Sequence, residues 1–134
     1  MRRLLVLVAM WLLGSGVVAG GQNSTVPSSQ ATAFMGTWTF AMTNPANSEQ
    51  TVKIWDNKGA VAATLQIGGF PPNDITGVLK DGGVLVLTTT VRENGAPIWA
   101  VIALTLDGET MSMAQMLQRS ETIKRGTAKK HVGL

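Results

Sequence analysis

The sequence contains no cysteine and no tyrosine, a single histidine, and only 14% charged residues. Each shortage excludes something. Without thiols there is no disulfide framework, no thiolate nucleophile and no bacterial lipoprotein anchor, so an exported form of this chain draws its stability from its core alone. The one histidine, His131, stands in the basic tail Lys129-Lys130-His131, with no second ligand or acid–base partner near it in sequence. Helical signals are also missing, because no segment combines a long 3.6-residue period with capping residues. Apolar residues nevertheless reach 45%, and the chain has 15 glycines. That composition belongs to a folded domain, and 134 residues suffice for one domain.

The formal charge is +3, but Arg2 and Arg3 lie in a segment expected to be removed. Nine basic and eight acidic side chains then remain, a balance that does not call for nucleic acid as a partner, and none is expected. The removable segment is an export signal in form. Met1-Arg2-Arg3 is a short basic start, Leu4 to Leu13 is an unbroken apolar run, and Gly14-Ser15-Gly16 ends it. Small residues at Val17 and Ala19 suit cleavage after Ala19, with Gly20 or Gly21 as neighbouring sites. The stretch is shorter than the roughly 20 apolar residues of a spanning helix, so a periplasmic or secreted protein with no membrane contact after cleavage is expected. Residues 20–33 hold mostly Gly, Gln, Asn, Ser, Thr, Pro and Ala, with Val26 as the one sizeable apolar side chain. They are read as a flexible linker.

From Phe34 onward, turn residues recur about every dozen positions, the rhythm of an antiparallel meander. The punctuation predicts eight strands, at 36–43, 50–56, 60–67, 74–80, 84–92, 97–106, 109–117 and 121–128. Alternation assigns inner faces to Trp38, Phe40 and Met42; to Val52 and Ile54; to Val61, Ala63, Leu65 and Ile67; to Ile98, Ala100, Ile102, Leu104 and Leu106; and to Met111 and Met113. In 84–92 both phases are apolar or Thr, and its facing stays open. Seven successive hairpins without a crossover favour a sheet that rolls up and loses its edges. Fold class is therefore all-β, an antiparallel up-and-down eight-stranded β-barrel over residues 34–128, followed by a basic tail at 129–134. Connections alternate between tight (Asp56 to Gly59, Asp81 to Gly83, Asp107-Gly108) and longer (Asn44-Pro45, Gly69 to Asn73, Asn94 to Pro97, Gln118 to Glu121). One end of the barrel is closed by short turns, and the other is rimmed by loops.

The opening Phe34-Met35-Gly36-Thr37-Trp38 resembles the Gly-x-Trp start of the calycins, the superfamily of lipocalins, fatty-acid-binding proteins and avidins. The resemblance covers residues 34–128, with motif at its two ends. It implies a short bacterial lipocalin-like barrel in which a cation from the last strand packs across Trp38 at the closed end. In Thr122-Ile123-Lys124-Arg125-Gly126-Thr127 that cation is Arg125, with Lys124 second. The chain departs from the lipocalins in lacking their Thr-Asp-Tyr signature, from fatty-acid-binding proteins in having no room for a two-helix lid, and from avidins in lacking their Trp and polar spacings.

Residues arranged for chemistry are few. All eight carboxylates, Glu49, Asp56, Asp74, Asp81, Glu93, Asp107, Glu109 and Glu121, fall in or beside turns, as turn formers do. No nucleophile elbow, phosphate loop or metal-ligand spacing is present, so neither catalysis nor a cofactor or metal is expected. The remaining candidates are apolar. Trp55 and Trp99 are out of phase with the aliphatic residues of their strands, so either a bulge turns them inward or they face solvent. Phe70 and Trp99 belong to the loop-rimmed end, where they frame a mouth with Met42 and Leu117 beneath and Arg92 on the rim, suited to an apolar ligand with an acidic group; alternatively Phe70 plugs the barrel. The methionines form an adaptable lining or simply core. Two functions follow, a binding barrel for a small hydrophobic molecule and a protein-interaction module such as a secreted protease inhibitor. The second is implied by a resemblance to short exported bacterial barrels that inhibit metalloproteases, which also open with a Gly-x-Trp strand and insert a free N-terminal arm in the enzyme. Here the arm Gln22 to Ala33 is present while the disulfide of that family is not. A third, an isomerase or cyclase barrel, needs a polar constellation that the sequence lacks.

Overall fold

The computed structural model describes residues 23–24, 26–43, 46–93 and 95–130. The export segment 1–19, the first linker residues, Asn44-Pro45, Asn94 and His131 lie outside the described residues. The fold is all-β, a single sheet curled into a half-barrel and antiparallel apart from one two-residue pairing. Its strands are β1 (Asn23–Ser24), β2 (Gly36–Thr43), β3 (Ala46–Asn57), β4 (Ala60–Ile67), β5 (Asn73–Asp74), β6 (Gly77–Asp81), β7 (Val84–Glu93), β8 (Ala96–Asp107), β9 (Thr110–Leu117) and β10 (Ile123–Lys129). The order across the sheet is β1-β6-β7-β8-β9-β10-β2-β3-β4-β5. The first and last long strands meet, with Gly126 opposite Met42 and Thr127 opposite Ala41.

Period-two patterning drives this arrangement. On β2, Trp38, Phe40 and Met42 are buried, and Val52 and Ile54 on β3 face them together with Val61, Ala63 and Leu65 on β4. The facing of β7, open in the sequence, resolves as Leu85, Leu87, Thr89 and Val91 inward, because these pair with Leu104, Ile102, Ala100 and Ile98 of β8. Trp55 and Trp99 sit on strands whose neighbouring positions already point into the core, and both face out.

Two departures from the sequence expectation shape the molecule. Predicted strand 74–80 is split. Asn73 and Asp74 pair with β4, and the chain then crosses to β7, where Thr76 N–H donates to Thr88 O at 2.8 Å and Gly77 opens β6. No ladder joins β4 to β6 among the described residues. The gap is laced instead by part of the expected linker. Asn23 and Ser24 run parallel to Gly77 and Val78 of β6, Pro27 bridges Ala60, and Val61 N–H donates to Val26 O at 3.0 Å. Two 3₁₀ turns, Ser28–Gln30 and Thr32–Phe34, follow, and Val26, Ala31 and Phe34 are buried in the core. Polar composition concealed this, since a few well-placed apolar side chains anchor a segment whose backbone bonds are satisfied by strand edges.

The closed end is built around Trp38, whose indole N–H donates to Phe34 O at 2.8 Å. Arg125 is not its partner. The β2–β10 register puts Arg125 beside Thr43, whose hydroxyl donates to Arg125 O at 3.1 Å, at the far end of β2. Lys130 stands opposite Trp38, and its aliphatic stem crosses Gly36 so closely that a Cβ there would lie 2.8 Å from Lys130 Cε. Gly36 also holds a φ of +121°, which other residues rarely adopt. The expected basic tail thus begins inside the last strand, because β10 continues through Lys129.

Candidate functional site at the loop-rimmed end

The crossing of residues 73–77 creates the site. Because β6 starts only opposite Thr88, the part of β7 from Thr89 onward has no strand on that side among the described residues. The upper ends of β4 and β7 therefore stand apart, and a half-open cleft of about 430 Å³ lies between them. One wall is Ile67 with the loop Phe70-Pro71-Pro72, and the other is Val91 and Arg92. The loop is held at its base by Gly68 N–H donating to Glu49 O (3.0 Å) and by Phe70 N–H donating to Ile67 O (3.1 Å). Two consecutive prolines stiffen it. Phe70 is left 71% exposed, and so is no plug. The Arg92 guanidinium donates to Gly95 O at 2.8 Å, which holds the cation on the rim with further N–H groups for an anion.

Of the residues expected at the mouth, Phe70 and Arg92 come together in this cleft. Met42 and Leu117 lie at the same end of the molecule but are buried in its walls, with the Met42 sulfur packed where a Cβ on Gly126 would be. Trp99 does not join them. Its indole is on the outer face and half exposed, at the head of an apolar strip that runs through Val101 and Met116 to Ile123. Met116 is directly opposite both Val101 and Ile123, so the strip crosses three strands.

Beneath the mouth lies a polar pair that sequence reasoning missed. Gln50 and Gln115 are both buried, and their side-chain amides bond to each other twice, Gln115 Nε2 donating to Gln50 Oε1 at 2.7 Å and Gln50 Nε2 to Gln115 Oε1 at 3.3 Å. The signal was available, since Gln50 is in phase with Val52 and Ile54, and Gln115 with Met111 and Met113. Thr89, buried on β7, donates to Asp74 O at 2.7 Å and ties the crossing chain to the wall. Among the described residues no three histidine or carboxylate side chains converge on a metal-sized space. Asp56 acts as a fastener, accepting bonds from Gly59 N–H (3.0 Å) and from the Ser28 hydroxyl.

No family model, curated protein or solved structure matches this chain.

Proposed function

We propose that the chain is an exported, non-catalytic, lipocalin-like barrel that binds a small hydrophobic molecule with an acidic group at its loop-rimmed end. The observation that carries this reading is the cleft of about 430 Å³ with an exposed Phe70, a wall of Ile67 and Val91, and the Arg92 cation on its rim. That volume is within the range of small-molecule sites, and its lining, mostly apolar with Asn73 and one oriented cation, is the usual composition of such sites. Three features support the calycin likeness within this half-barrel: the pairing of β10 with β2, the buried Trp38 after Gly36, and a lysine opposite that Trp. The basic start and apolar run at residues 2–13 support export.

Titration with a dansylated undecanoic acid tests it. Phe70→Ala is expected to weaken binding about tenfold, and Arg92→Ala to weaken the acid but not the corresponding alcohol. Unchanged affinity in both variants refutes the reading. The strip formed by Trp99, Met116 and Ile123 favours a second reading, a protein-interaction module such as a secreted protease inhibitor. Native mass spectrometry of the protein from its own source separates the two, since a small molecule or a second polypeptide would travel with it.

A further inference from the structure

On the outer face of β3 and β4, separated from the mouth cleft by Pro72, which borders both, a second depression of about 280 Å³ runs from Pro72 to Trp55. Its floor is Thr51 and Lys53 of β3 with Thr64 and Gln66 of β4. The register makes these a regular array, with Trp55 opposite Ala62, Lys53 opposite Thr64 and Thr51 opposite Gln66. Ala62 points outward, yet it is buried. Trp55, directly across from it, keeps 41% of its surface exposed, so much of its indole is open to a ligand. The next strand continues the hydroxyl surface, since Thr37 is opposite Lys53, and the Thr39 and Thr51 hydroxyls lie 3.2 Å apart.

The chemistry of this array selects its occupant. Threonine hydroxyls and the Gln66 amide both donate and accept hydrogen bonds, whereas a carboxylate only accepts, and none lines the depression. A purely apolar ligand would desolvate these groups without replacing their bonds. A phosphate-rich polymer would meet one cation, Lys53, on a domain whose charges nearly balance. The ligand that fits is amphipathic within one ring, with an apolar face of C–H bonds to lie on the indole and a rim of groups that donate and accept. We propose that the face carrying Trp55, Thr51, Lys53, Thr64 and Gln66 is a saccharide-binding site, distinct from the mouth cleft, that stacks a pyranose ring of a glycan on Trp55. Lys53, a donor only, bonds an acceptor oxygen on that ring.

The test uses the mature full chain, ¹⁵N-labelled, titrated with chitotriose, cellotriose, maltotriose and trigalacturonate while the indole N–H of Trp55 and the side-chain amide of Gln66 are followed by NMR. At least one of these sugars is expected to shift both signals saturably. Trp55→Ala is expected to weaken that binding about tenfold or more, Trp55→Phe to restore part of it, and Gln66→Leu to weaken it several-fold. Phe70→Ala leaves it unchanged, so that loss of the mouth site and loss of this one are distinguishable. Trp55 is outside the core, and an unchanged melting temperature for Trp55→Ala verifies that the variant folds. No saturable shift with any of the four sugars, or a response that survives Trp55→Ala, overturns the assignment.

Discussion

Gln50 and Gln115 occupy inward positions that apolar side chains fill elsewhere on β3 and β9, and each is the other's hydrogen-bond partner. Gln50→Leu alone leaves the Gln115 amide buried without that partner, at a cost of about 1–3 kcal/mol. The double variant Gln50→Leu, Gln115→Leu removes both polar groups and is expected to fall closer to the parent than either single change. Urea denaturation of the four proteins checks this, and additive losses would refute the pairing. Trp38 is the opposite case, an apolar giant with its one polar atom bonded to Phe34 O. Trp38→Ala is expected to cost about 3–5 kcal/mol, as large core truncations do. Thermal melts compare it with Trp55→Ala, which removes an exposed indole and is expected to change stability by about 0.5 kcal/mol or less.

At the scale of the element, the interval between β4 and β6 is where the chain departs from a plain meander. Two segments far apart in sequence share it. Residues 23–24 and 26–28 lace the half toward the closed end, with Ser28 N–H donating to Gly59 O at 2.9 Å, and residues 73–76 cross the other half toward β7. The N-terminal lace buries Val26 and supplies the acceptor for the Val61 amide. Loss of one buried Val and a few backbone bonds amounts to about 2–4 kcal/mol. A chain beginning at Gln30 is therefore expected to be destabilised by that amount, and hydrogen exchange is expected to quicken at Val61 far more than at Ile102 in the middle of the sheet. Uniform exchange across both strands would show that the lace is incidental. The same interval explains the mouth, because a full ladder from β4 to β6 and on to the end of β7 would leave no cleft beside Phe70.

For the whole molecule, what was readable from the chain is what depends on local pattern. Turn residues at regular spacing and apolar alternation located the long strands within a few residues, but of the four connections expected to be longer only those after Ile67 and Leu117 are, since β2 ends at Thr43 with β3 starting at Ala46, and β7 ends at Glu93 with β8 starting at Ala96. The phase of Trp55 and Trp99 against their neighbours left two possible facings, of which the outward one is observed. Misreadings arose where partners distant in sequence decide. Arg125 and Lys130 are both cations near the last strand, and only the register of β10 on β2, set by residues more than about 80 positions apart, puts Lys130 opposite Trp38. Residues 26–34 carry too little apolar surface to signal order by composition, yet they find a strand edge and a core opening that fit Val26, Ala31 and Phe34. By itself, then, the sequence determined that the chain forms β-strands, which side chains most of them bury, and which end carries the loops, since each follows from periodicity and turn chemistry within a dozen residues. Only the tertiary structure decided which segment fills the gap between β4 and β6, which cation meets the closed end, and that Phe70 and Arg92 share a cleft while Trp99 does not, because strand pairing is a long-range choice made by the edges that remain free once the neighbouring ladders have formed.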